Sequence, residues 1–175
     1  MLLRTEMKPE QLDHSDNKFQ QRQFPLTVVC DGIHSASNTG SLFRVAEAFG
    51  VEEIIFCVYL PEFSRRMEKT ARSTHQRVAH RFEPETAIAL KALKEDGYTI
   101  IALEITNNSI SLNEVTLKKP AKVALLLGGE NHGISAEHLA MADQHVHIDM
   151  YGVNSSMNVS MAAGICLFEL TNLLK

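Results

Sequence analysis

Short apolar runs alternate with amphipathic windows from about residue 24 to the end of the chain. LTVVCDGI (26–33), EEIIFCVYL (52–60), VAHRFE (78–83), YTIIALEIT (98–106), AKVALLLGG (121–129) and HVHIDM (145–150) carry the Val, Ile and aromatic enrichment of strands. Between the first two, Leu42, Val45, Ala46 and Phe49 fall at helical spacing, and Gly50 stands where a helix C-terminal glycine belongs. ETAIALKALKEDG follows the same pattern and closes at Gly97. This alternation predicts an α/β fold: a mostly parallel sheet with helices on both faces. The last window, 157–174, is apolar nearly all round, so it needs cover on more than one side. The sheet supplies one cover, and a second copy of the chain is the expectation for the other.

At 175 residues the chain is most simply one domain, running over 25–175, with 1–24 as a short polar extension. No apolar run is long enough for a bilayer, so no membrane is expected and the cytoplasm is the expected compartment. Cys30, Cys57 and Cys166 are widely spaced inside apolar runs, which reads as buried thiols rather than a disulfide or zinc framework. His145 and His147 share a strand face, but without a third ligand they read as structural.

Net charge is −4, yet 65–81 carries Arg65, Arg66, Lys69, Arg72, Arg77 and Arg81 against Glu68 alone. A basic segment on an acidic body is either a phosphate footprint or a solvated face. Charge alone leaves the two even.

Three segments carry candidate chemistry. LLLGGENHGIS (125–135) follows an apolar run and fits neither the dinucleotide fingerprint nor the phosphate-loop pattern. Its glycines permit close backbone approach to a flat ligand, or simply a turn. In HIDMYGVNSSMNVSMAAGI (147–165), Ser155 or Ser156 reads as a helix cap, while Asn158 and Ser160 are polar positions on the first turn of a greasy helix and lean toward a pocket. Finally, NTGSLFR (38–44) places Arg44 on the helix face opposite Leu42, Ala46 and Phe49, one turn from a strand-end cleft.

Together these segments resemble the SpoU (TrmH) family of knotted SPOUT methyltransferases. Its NxGxxxR motif is matched by Asn38, Gly40 and Arg44, and its GxExxG by Gly128, Glu130 and Gly133. Its SLNVSxA motif is matched by Ser156 to Ala162, with Met157 in place of leucine. The resemblance implies S-adenosylmethionine as methyl donor, a ribose 2′-hydroxyl of tRNA, or else rRNA, as acceptor, a homodimer and a C-terminal trefoil knot. It places the cofactor against Leu127, Gly128, Gly129, Gly133, Ile148, Met150, Ser156 and Met157. It maps Asn38, Arg44, Glu130, Ser156, Asn158 and Ser160 to the chemistry. Arginine stays protonated in ordinary sites, so Arg44 suits phosphate binding or alkoxide stabilisation better than proton removal.

A 2′-hydroxyl acceptor means RNA and not DNA. RNA recognition then falls to Arg65, Arg66, Lys69, Arg72 and Arg77, with Arg4, Lys8, Lys18 and Arg22 of the N-terminal arm. The rival readings are a catalytically inactive RNA-binding protein of the same fold, and a small-molecule enzyme that leaves the basic segment idle.

Overall fold

A computed structural model describes residues 11, 16, 19–59 and 61–175. Arg4, Lys8 and Lys18, with most of the polar extension, lie outside the described residues. Seven strands form one parallel sheet: β1 (Phe24–Asp31), β2 (Val51–Cys57), β3 (Ala79–Glu83), β4 (Tyr98–Leu103), β5 (Ile110–Ser111), β6 (Lys122–Gly128) and β7 (Gln144–His147). Their order is β3-β2-β1-β6-β4-β7-β5, and every pairing is parallel. Helices α1 (Ala36–Ala48), α2 (Arg65–Ala71) and α5 (Val159–Leu174) cover one face, and α3 (Thr86–Glu95) and α4 (Ala136–Ala140) the other.

The pleat explains the continuous apolar runs. Leu26, Val28 and Cys30 of β1, with Leu125 and Leu127 of β6, face the first helical layer. Val29, Ala124 and Leu126 face the second. Strands buried on both sides read as near-continuous apolar runs. The three thiols are buried in these layers, and burial pushes Cys57 up to about 11 and Cys166 up to about 12.

Local chemistry sets the boundaries. Ser35 caps α1 by accepting from Asn38 N, and Gly50 follows its end at φ +62°, as a terminating glycine does. The sequence pattern runs the second strand to 60, but β2 stops at Cys57 because Val58 turns to φ +69°. Two elements are absent from the pattern: the two-residue β5, and α2, which reads only as charge. The last helix begins at Val159, two residues later than 157, and its cap is Asn158 rather than a serine.

On the far face, Asp31 joins two helices to the sheet. Its carboxylate accepts from Thr86 Oγ1 at 2.7 Å and lies 2.6 Å from His138 Nδ1. On the near face, α1 and α2 cross so closely that a Cβ on Gly40 would stand 2.6 Å from the Met67 carbonyl oxygen and 2.8 Å from Thr70 Cβ. Backbone cannot yield cheaply there. Gly40→Ala should therefore lower stability by about 1–3 kcal/mol, read as an earlier urea midpoint with unchanged slope; an unshifted midpoint would show that the helices separate freely.

Candidate active site

β1 and β6 run in register with Cys30 opposite Leu127 and Asp31 opposite Gly128, while Leu103 of β4 pairs with both Leu127 and Val146. The four strands β1, β6, β4 and β7 therefore end at one level. A cavity of about 430 Å³ opens there, walled by the ends of β6, β4 and β7, by Asn38 of α1 and by the loop before α5, at the carboxyl edge where open parallel sheets hold ligands. Its volume lies in the usual range for small-molecule sites.

The glycine pair after β6 is needed first by the protein itself. A Cβ on Gly128 would stand 2.6 Å from Ile134 N, and one on Gly129 would stand 2.7 Å from the Gly32 carbonyl oxygen. Gly133 N closes the loop by donating to Gly129 O at 3.0 Å. Of the two uses the sequence leaves open, the turn comes first, and close approach by a ligand is secondary to close approach by the chain.

Three loops meet in one side-chain relay. Asn38 Nδ2 donates to Glu130 Oε1 at 2.7 Å, and Asn158 Nδ2 donates to Asn38 Oδ1 at 2.9 Å. Asn158 Oδ1 accepts from Ser160 Oγ at 2.6 Å and Ser160 N at 3.0 Å. Burial alone would raise the Glu130 carboxyl. The Asn38 amide, the backbone N–H groups of Glu130 and Ser35, and nearby His34 outweigh that and hold it below its ordinary value of 4.5. The carboxylate is therefore present at neutral pH. Its contribution to stability is complete above the ordinary value and is lost as pH falls through the lower folded one.

Of the residues the resemblance assigns to the chemistry or the cofactor, Asn38, Leu127, Gly128, Gly129, Glu130, Gly133, Ile148, Met150, Ser156, Met157 and Asn158 all line the cavity. Two do not. Ser160 is buried under Asn158 and fixes that side chain rather than touching the cavity. Arg44 is exposed on α1, outside the lining, and has no partner among the described residues. Arg65, Arg66, Lys69, Arg72 and Arg77 are all exposed, and Arg77 lies 3.4 Å from Glu47 in an exposed ion pair. Arg81 is similarly matched by Glu53 at 3.3 Å. Arg22 lies with its guanidinium 4.6 Å from the centre of the Phe24 ring.

Sequence reasoning missed Leu103, Glu104 and Ile105 on the β4 side, and His147 on β7. Glu104 accepts from Ile105 N at 2.9 Å and Ile134 N at 3.3 Å, tying the β4 end to the glycine loop. A carboxylate directly after the apolar run IIAL, 100–103, is a signal that could have found it. His147, read as structural, does have structural partners, with Ser109 Oγ 2.9 Å from Nδ1 and Asp149 3.5 Å from Nε2, but it also forms cavity wall. His145 is engaged wholly within the fold, by Asn108 and the Leu139 carbonyl.

Comparison with known proteins agrees with this geometry. The family model described as the SpoU rRNA Methylase family matches residues 25–168. A tRNA (guanosine(18)-2′-O)-methyltransferase from Thermus thermophilus is 35% identical over 153 residues, covering 86% of this chain and 76% of that protein. The crystal structure of the A. aeolicus TrmH/SpoU tRNA modifying enzyme superposes with a TM-score of 0.78 at 27% identity, covering 87% of this chain and 77% of that one. A structure described as giving insight into 2-OH methylation of C/U34 on tRNA superposes at 0.74 with 25% identity, covering 85% of this chain and 95% of that one. The sheet-end cavity, the three-loop relay and the match over 25–168 lead to one conclusion: the chain belongs to the SpoU methylase family.

Proposed function

We infer that the chain transfers a methyl group from S-adenosylmethionine to a ribose 2′-hydroxyl of RNA, and that the RNA is tRNA. The observation that carries this reading is the relay: three separate segments converge, hydrogen-bonded, on one cavity wall. The donor, when bound, supplies a methyl group on a sulfonium, already electrophilic without a metal. The cavity fits it. Leu103, Leu127, Ile148 and Met157 offer an apolar slot for a flat ring, and Glu104 and Glu130 offer carboxylates to a ligand with a positive centre. Gly128, Gly129, Gly133, Met150 and Ser156 complete the set that would hold it.

The chain's own residues orient the acceptor. Each amide nitrogen of Asn38 and Asn158 has two N–H groups, and the relay uses one of each. The second can meet a ribose oxygen, beside the fixed Glu130 carboxylate. Alignment of hydroxyl and methyl is then the main contribution of the site. Arg44 reaches the reaction only from outside, so we assign it an RNA phosphate approaching over the exposed side of α1.

Met161, Ile165 and Phe168, at 66%, 44% and 57% exposure, form an uncovered apolar stripe on α5. Its opposite face is buried in the fold. A second copy covering that stripe makes the protein a homodimer. The trefoil threading belongs to the same reading, supported by β6 lying between β1 and β4 and by α5 returning to α1. No helix among the described residues is long and apolar enough to cross a membrane, and we assign the protein to the cytoplasm with its RNA.

Asn38→Ala removes the middle of the relay. Transfer of labelled methyl to bulk tRNA should fall about 100-fold while calorimetric affinity for S-adenosylhomocysteine moves little; unchanged transfer would dismiss the relay. Arg44→Ala should keep that affinity and lose methylation, and normal turnover would return Arg44 to the solvated surface. In sedimentation equilibrium at micromolar concentration the protein should be a dimer and Phe168→Glu a monomer. A monomeric wild type would refute the pairing.

A further inference from the structure

Strand β2 ends in a conformation its sequence does not favour. Val58, a β-branched residue, sits in the left-handed region at φ +69°. Tyr59 N donates back to the Cys57 carbonyl at 2.8 Å, closing a tight three-residue turn, and Gly32 N reaches the same oxygen at 3.3 Å. Strain of this kind persists only where surrounding structure enforces it, and it concentrates at functional sites.

The turn places an aromatic ring beside His34, outside the cavity lining and one side chain away from Glu130. Tyr59 lies 5.5 Å from the His34 ring, tilted by 56°. Its edge is 4.0 Å from where a Cβ on Gly32 would be, and Gly32 in turn backs Gly129 of the cavity wall. His34 Nδ1 is 3.4 Å from Glu130 Oε2, the carboxylate that anchors the relay. Both rings are half open, Tyr59 at 52% and the His34 side chain at 54%. Tyr59 belongs to neither hydrophobic layer, and its hydroxyl has no partner among the described residues. Packing therefore gives no reason for a large aromatic side chain here.

We propose that Tyr59, backed by His34, is the platform on which the base of the methylated nucleotide stacks after leaving its RNA stack. The proposal rests on the RNA-methylation reading above. A nucleoside with its ribose at Glu130 carries its base to the adjacent surface, and that surface is this ring pair. Single-stranded and splayed bases are commonly held on aromatic faces, which tolerate any base. Beyond Tyr59 the chain enters α2, whose exposed Arg65, Arg66 and Lys69 can meet the flanking phosphates.

The test uses the full chain, labelled S-adenosylmethionine and bulk tRNA from cells lacking the gene. Tyr59→Ala should raise KM for tRNA about 10-fold, with S-adenosylhomocysteine affinity unchanged and kcat affected less, whereas Tyr59→Phe should stay within about twofold of wild type. The chain contains no tryptophan, so Tyr59→Trp installs a single indole reporter. Its emission should be quenched by tRNA and not by S-adenosylhomocysteine alone. A wild-type KM in Tyr59→Ala, or emission indifferent to tRNA, overturns the platform and leaves the methyltransferase reading standing. A wild-type chain that methylates no RNA overturns both.

Discussion

One carboxylate fixes the direction of the hydrogen bonds along the relay. Ionised Glu130 can only accept, so Asn38 must turn its nitrogen toward Glu130 and its oxygen toward Asn158. Asn158 must then present its own oxygen to the first turn of α5, where Ser160 and the free helix amides donate to it. Amide orientations that are often ambiguous are settled here by the end of the relay. The same three side chains join the glycine loop after β6, the start of α1 and the start of α5. Losing Glu130 would free two amides to rotate and would uncouple three loops at once.

The relay exists because of strand order. β6, late in the sequence, inserts between β1 and β4, so the loop after it lands beside the loop after β1. β7 then adds outside β4, and the chain crosses back to lay α5 against α1. Segments some 90 to 120 residues apart thus become hydrogen-bonded neighbours. The glycines make the crossing possible, since any side chain on Gly128 would run into the chain returning at Gly133 and Ile134.

Much of the framework was legible because doubly buried strands demand unbroken apolar runs, as in VALLLG of β6 and TVVC of β1. β5 was not, because two residues carry no period. α2 was hidden because its surface is charged and only Met67 and Ala71 are buried. Within the site, the motif residues were legible as types at fixed spacings. Their division of labour was not: that Asn158 is both cap and cavity wall, and that Ser160 faces inward, depends on a helix starting two residues late. Glu104 was concealed by treating YTIIALEIT as one strand, and the Val58 turn by treating EEIIFCVYL as another. In both cases the residue just past the buried stretch had changed role.

Charge is sorted between the cavity and its surroundings, and the sorting matches two different ligands. The cavity lining contains the carboxylates of Glu104 and Glu130 and neither lysine nor arginine. Such a site repels nucleotide phosphates and favours a ligand with a positive centre. Arg44, Arg65, Arg66, Lys69 and Arg72 are instead exposed on α1, α2 and the residue after it. There a polyanion can be gathered without entering the cavity. A small-molecule enzyme would have no use for that outer array, and a pure RNA-binding protein would have no use for an acidic pocket at the sheet edge. Only a reaction that brings a cationic small molecule and an RNA together needs both, and the relay of Asn38, Glu130 and Asn158 stands on the cavity wall.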